Sequence, residues 1–278
     1  GSGEEMGTSV WKCEKGKPFE LLCSYTLPDS LGYFYGAITE FLGFSIFTGE
    51  GKVMGLAPYG KPNLEIRKSL SNFLSTNNDS EYFVDPKFVY FGPRSYSFRH
   101  TDYLSEILNI EPRRPESEIL DIHKDIAFEA QYLLEKTMIM IVEKYIKETS
   151  LRNICIAGGV ANNCKMNGVI SSLKNVDSCF VLPASADSGV SYGSALLHAY
   201  EILPDKTTQY GNFNAYLGPE YSNSEIISIL SEAKVSKFVE YEDNDLFEVV
   251  SEFLAQGKIV GWFQGRMEVG ARALGNRS

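Results

Sequence analysis

The chain has 278 residues, 44% of them hydrophobic and 22% charged, an ordinary globular composition with length for one large domain or two moderate ones. A formal charge of −10 and a pI near 5.0 argue against broad, nonspecific binding to nucleic acid or an anionic membrane, so small anionic ligands must be held by specific groups. Five cysteines (13, 23, 155, 164 and 179) without CxxC spacing fit a reducing cytoplasm better than a disulfide framework or a cysteine zinc site, and the three histidines lack metal-ligand spacing.

In chain order, apolar residues around the turn Glu14-Lys15-Gly16-Lys17-Pro18 predict a hairpin pairing 9–13 with 19–25. A helix over 31–42 follows a Pro-Asp-Ser turn. Residues 49–62 read as a Gly/Pro-punctuated loop, and 64–73 as a polar helix. Short aromatic strands are expected around 82–91. The most secure helix is 118–150, where Ile122, Ile126, Ala130, Leu133, Leu134, Met138, Ile141, Val142 and Tyr145 recur at helical spacing. Its apolar run near 138–142 is far too short to span a bilayer. Two βα units come next: strand 153–157, a glycine turn and a helix over 161–170, then strand 178–182 and a helix reaching 200 with Asp187 at its head. Residues 203–219 read as a connector. Beyond it, helices over 224–233 and 244–256 alternate with strands over 237–241 and 259–263.

Four segments carry chemistry. Gly158-Gly159-Val160-Ala161-Asn162-Asn163 follows a strand and opens a helix, so its main chain offers amides to a ligand and Asn163 offers a side-chain amide to a base or ribose. The plain alternative is a structural turn. Asp187 is a hard oxygen ligand suited to a divalent cation bridging phosphates, or else a helix cap. Both lie at one strand-end rim, the usual ligand edge of an open α/β sheet. Residues 49–60 gather Glu50, Lys52 and four glycines, which lets main chain approach a ligand beside the Lys52 charge, unless this is only a surface loop. Near the end, Arg266, Arg272 and Arg277 fall among glycines and aromatics, as an anion pocket or a solvated basic loop.

With these residues in view, the chain resembles the NodU/CmcH-type O-carbamoyltransferases along nearly its whole length. The likeness rests on Ser30-Leu31-Gly32, residues 50–60, Asp125-Ile126-Ala127 with Gln131, residues 157–164 and 187–195, Tyr216-Leu217-Gly218-Pro219-Glu220-Tyr221, and the closing arginine run. It implies an α/β, actin/Hsp70/sugar-kinase-like (ribonuclease H-like) lobe over 1–205, the second lobe of such a domain, and the start of a YrdC-like domain over 206–278. It further implies transfer of a carbamoyl group from carbamoyl phosphate, through an ATP-derived carbamoyl-adenylate, to a hydroxyl of a small molecule or glycan. By the same likeness, Asp187 matches a metal ligand (Fe or Mg), Gly158, Gly159 and Asn163 the adenosine-binding segment, Ser2, Gly3 and Glu4 the tail of a phosphate loop, and Lys52 a loop near the transfer site. Arg266, Arg272 and Arg277 are read as phosphate contacts from chemistry and position.

Ala271 stands where the family usually has proline, and Ala186 where it has glycine. The family's HxxxH pair and first lobe are not in this sequence, so the chain is expected to be a fragment, inactive by itself, with Gly1-Ser2-Gly3 alternatively a cloning scar. Two other functions stay open at this stage: an ATP-dependent sugar kinase of the same superfamily and a noncatalytic nucleotide-binding scaffold. Oligomeric state and acceptor are not readable.

Overall fold

The opening hairpin pairs β1 (Met6–Lys12) with β2 (Glu20–Thr26) in antiparallel register, Ser9 opposite Ser24 and Val10 opposite Cys23. The computed structural model describes residues 6–95, 97–202 and 214–277. Ser30 caps α1 (Leu31–Phe41) by accepting the Tyr33 amide at 3.3 Å. This helix is apolar nearly all round and is buried accordingly: Phe34, Ile38 and Phe41 are fully enclosed. Burying each of them is worth about 1.5–3 kcal/mol.

Residues 49–62 depart from expectation. They hold α2 (Glu50–Leu56) and a 3-10 turn, Ala57–Tyr59, rather than an irregular loop. Val53 and Ala57 enter the core, and Glu50 sits in the first turn where the helix dipole favours an acid. That packing outweighs the helix cost of Gly51 and Gly55, about 1 kcal/mol each.

Asn63 caps α3 (Leu64–Phe73), which leads into β3 (Leu74–Thr76) paired antiparallel with β4 (Tyr82–Val84). Phe73 packs edge-on to Phe34 at 5.0 Å and 5.1 Å from Phe88, and the buried Tyr82 hydroxyl donates to Asp29 O at 2.9 Å, so this hairpin is fastened to the turn before α1. A short helix, α4 (Asp102–Leu108), precedes the long α5 (Asp121–Thr149), against which α1, α2 and α3 pack. Arg67 on α3 reaches the fully buried Glu129 of α5, Nε to Oε2 2.6 Å and Nη2 to Oε1 3.1 Å, and Glu129 also accepts the Asn63 amide at 2.7 Å.

The expected pair of βα units forms. β5 (Asn153–Ile156) and β6 (Ser178–Val181) run parallel, Asn153 opposite Ser178 and Ile156 opposite Val181, joined through α6 (Cys164–Ser171), and α7 (Val190–Ile202) follows. Among the described residues there are three two-stranded sheets, giving a mixed α/β unit. No helix among them is long and apolar enough to cross a membrane.

The chain divides near residue 204 into two compact units. In the second, Ser222 and Glu225 form a capping box on α8 (Asn223–Glu232), and α9 (Asp243–Ala255) follows. The strands expected over 237–241 and 259–263 do not form. A strand must pair its backbone N–H and C=O groups, and no described segment of this unit offers 237–241 or 259–263 a partner; Ile259 is fully exposed.

Candidate functional site

The chain leaves β5 and turns at Gly158, whose φ of 96° lies in the left-handed region that a side chain disfavours. A 3-10 turn, Gly159–Asn162, then leads into α6. Of the two glycine amides expected to be open, the Gly158 amide is used: it donates to Ser185 O at 2.7 Å. Ser185 Oγ in turn donates to Asn162 Oδ1 at 3.0 Å. The loops after β5 and β6 are thereby tied to each other. The Gly159 amide has no acceptor among the described residues, and apart from its chain neighbours no atom lies within 4 Å of where a Gly159 Cβ would begin, so the turn is uncovered on that side.

Asn163 points inward. It is 8% exposed, and its Oδ1 accepts the Met166 amide at 2.9 Å as the cap of α6. The rest of its amide pairs reciprocally with Gln131 of α5: Asn163 Nδ2 donates to Gln131 Oε1 at 2.9 Å, and Gln131 Nε2 to Asn163 Oδ1 at 3.1 Å. Tyr35 of α1 donates to the same Gln131 Oε1 at 2.8 Å, and burial pushes the Tyr35 hydroxyl pKa above its ordinary value. The side chain expected to meet a base or ribose therefore shapes the turn from behind. Sequence reading assigned no role to Gln131, Tyr35 or Ser185. A signal for Gln131 was present, a lone amide among Ala127, Ala130 and Leu134 on the apolar face of α5.

After β6 the chain buries Ala184 and Ser185 and presents Asp187 at the start of a 3-10 turn ahead of α7. Gly189 is required here, because a Cβ would lie 2.1 Å from Ala184 O. Asp187 is exposed, and its carboxylate has no hydrogen-bond or ion-pair partner among the described residues. A free carboxylate suits one face of a divalent ion, but among the described residues no three His, Cys, Asp or Glu side chains gather as a metal site.

Lys52 lies on the exposed side of α2 with Nζ 5.7 Å from the Phe44 ring centre. Met54 on the same helix meets Cys164 at the start of α6, sulfur to sulfur 3.8 Å, so α2 borders the helix that the glycine turn opens. Ser2, Gly3 and Glu4 lie outside the described residues.

In the second unit, the 215–219 and 267–269 segments bond to each other: Gly218 N to Met267 O, Met267 N to Pro219 O and Val269 N to Ala215 O, each 2.9 Å. Two motifs far apart in sequence are thus one structural element. Arg266 forms an exposed ion pair with Glu220 at 3.3 Å, while Arg272 and Arg277 have exposed side chains with no ion-pair partner among the described residues. Glu268 is buried, its Oε2 accepting the Leu274 amide at 2.8 Å and its Oε1 without a partner among the described residues.

Residues 1–196 match the family model described as carbamoyltransferase N-terminus, and residues 251–278 the one described as carbamoyltransferase C-terminus. The chain is 35% identical to the Synechocystis protein sll1178 over all of its own length and 45% of that protein. It is 32% identical to nodulation protein NolO of Bradyrhizobium diazoefficiens over 99% of the chain and 47% of the relative. It is 33% identical to the 3'-hydroxymethylcephem-O-carbamoyltransferase of Streptomyces clavuligerus over 44% of the chain and 22% of that enzyme. The chain thus spans under half the length of these curated relatives. With one family model covering most of the first unit and another the arginine-rich end of the second, the chain belongs to the carbamoyltransferase family.

Proposed function

We propose that the chain forms part of an O-carbamoyltransferase that passes a carbamoyl group from carbamoyl phosphate, activated with ATP, to a hydroxyl of a small molecule or glycan, on a lobe of the actin/Hsp70/sugar-kinase type. The observation that carries this reading is the pair of strand-end loops, one bearing the free Gly159 amide and the other the free Asp187 carboxylate, held together by the bonds of Ser185 to Gly158 and Asn162.

In this reading the Gly159 N–H donates to the nucleotide from the start of the 3-10 turn, with Gln131 and Asn163 fixing the turn's shape. Asp187 holds one face of a divalent ion, Fe or Mg, which when bound neutralises phosphate and carbonyl charge. Lys52 supplies a point charge beside the transferring group in the first unit, and in the second unit Arg266, Arg272 and Arg277 contact phosphate oxygens of a ligand held there. Holding hydroxyl and carbamoyl carbon together, and stabilising charge on the departing phosphate, are the main contributions asked of such a site.

Calorimetry with ATP and Mg²⁺ tests it. Binding is expected, and Asp187→Ala should weaken it; binding that is absent, or unchanged in both Asp187→Ala and Gly159→Pro, overturns the assignment. Where turnover is seen, AMP with pyrophosphate marks carbamoyl activation and ADP marks a kinase instead.

A further inference from the structure

Residues 86–95 and 97–102 bound a cleft that none of the motifs above uses. The 3-10 turn Pro86–Phe88 and a bridge between Val89 and His100 fold this segment back on itself, with Tyr90 N donating to Arg99 O at 2.7 Å. The result is a cleft of about 540 Å³ walled by Tyr90, Arg94, Phe98, His100 and Asp102. Its size is that of a small-molecule site.

Two of its walls are aromatic rings set at a right angle. Tyr90 and Phe98 lie 6.2 Å apart with 79° between their planes, forming a corner with one face and one edge, and Phe98 is about half exposed. The other walls are polar and of mixed kind. Arg94 brings only donors and Asp102 only acceptors, and neither has an ion-pair partner among the described residues. His100 is built in rather than loose. Its Nδ1 lies 2.7 Å from Glu40 Oε2, which also accepts the Arg99 amide at 2.6 Å and the His100 amide at 2.8 Å. Phe41 packs edge-on to the imidazole at 5.6 Å. With Nδ1 facing the carboxylate, Nε2 is held at a fixed angle without a protein partner among the described residues, and in the neutral imidazole whose Nδ1 donates to Glu40 it is an acceptor.

An anion is a poor occupant, because Asp102 opposes it and the protein as a whole is acidic. A purely apolar molecule would strip water from Arg94, Asp102 and His100 without replacing it. A pyranose ring answers both demands, since its axial C–H face is apolar and its rim carries hydroxyls that donate and accept. We propose that this cleft is a saccharide-binding site, with the sugar face on the Phe98 and Tyr90 corner, Arg94 donating to ring hydroxyls, and Asp102 and His100 Nε2 accepting from them. This inference stands on the cleft alone and does not depend on the carbamoyl-transfer reading.

Saturation-transfer NMR on the 278-residue chain tests it, with glucose, mannose, N-acetylglucosamine and cellobiose as probes, and sorbitol and inorganic phosphate as controls. Ring protons of at least one pyranose should receive saturation while sorbitol receives none. Phe98→Ala should lower the affinity about tenfold, and His100→Gln should lower it as well. Because Phe98 is half exposed, thermal unfolding of Phe98→Ala should match the parent, separating lost binding from lost fold. No transfer to any of the four sugars, transfer unchanged in Phe98→Ala, or displacement of the sugar by phosphate would each overturn the proposal.

Discussion

Replacing Gln131 by leucine removes the centre of a buried polar chain while nearly preserving its volume. In the parent, Gln131 Oε1 accepts from both the Tyr35 hydroxyl and Asn163 Nδ2, and all three residues are less than a tenth exposed. The substitution strands those two donors, whereas Asn163 Oδ1 keeps the Met166 amide. A buried group left without its partner costs about 1–3 kcal/mol, so Gln131→Leu should destabilise the first unit by about 2–4 kcal/mol once the gain from an added apolar side chain is set against it. Adding Tyr35→Phe removes one stranded donor, and the double variant should recover about 1–2 kcal/mol relative to Gln131→Leu. Urea unfolding followed by circular dichroism measures both steps. If Gln131→Leu falls within about 0.5 kcal/mol of the parent, or Tyr35→Phe brings no recovery, the chain of bonds does not hold the α1, α5 and α6 junction together.

Three other outcomes are expected. Gly158→Ala meets no steric obstacle, since nothing lies within 4 Å of the added Cβ, but it places a side chain at φ 96°; a loss of about 1–2 kcal/mol in unfolding free energy and weaker ATP binding should accompany it. Arg67→Met leaves the fully buried Glu129 carboxylate without its charge partner and should cost about 3 kcal/mol, read from the urea midpoint, whereas Glu129→Gln, which removes the buried charge instead, should cost less. For pH, burial alone would push the Glu40 carboxyl up, but hydrogen bonds from the His100 side chain and from the His100 and Arg99 amides hold it below its ordinary 4.5. A carboxyl lowered on folding adds stability that is present above 4.5 and disappears as pH falls through the folded value. The thermal midpoint of the parent should therefore drop on acidification through that window, and a Glu40→Gln variant should show a flatter profile.

Segments whose apolar pattern has one reading were legible in the sequence. The helix expected over 64–73 and α3 share both ends, because Asn63 caps it and the apolar stripe stops at Phe73. The parallel strand pair was also legible, since each strand is short, apolar and closed by a turn. Residues 49–62 were misread because four glycines in twelve residues weighed more than Val53 and Ala57, whose burial depends on α1 and α5, elements remote in sequence. The two missing strands of the second unit show the converse: a β-like run specifies strand only where another backbone is available to it. At the site, the position of the glycine turn and of Asp187 was readable, but the direction of Asn163 was not. Which way an amide points depends on what faces it, and Gln131 is 32 residues away.

The bond from Gly158 to Ser185 has a thermodynamic meaning. Ser185 lies two residues before Asp187, so a ligand that orders the glycine turn also reduces the freedom of the segment carrying the carboxylate. Whatever occupies one loop then lowers the ordering entropy that the other must give up, and linkage requires the effect to be equal in both directions. On the proposed reading the measure of that coupling is the ratio of nucleotide affinities with and without the divalent ion, and weakening the tie by Ser185→Gly, which removes the hydroxyl bond to Asn162 and loosens the backbone while the Gly158 bond can persist, should bring that ratio closer to one.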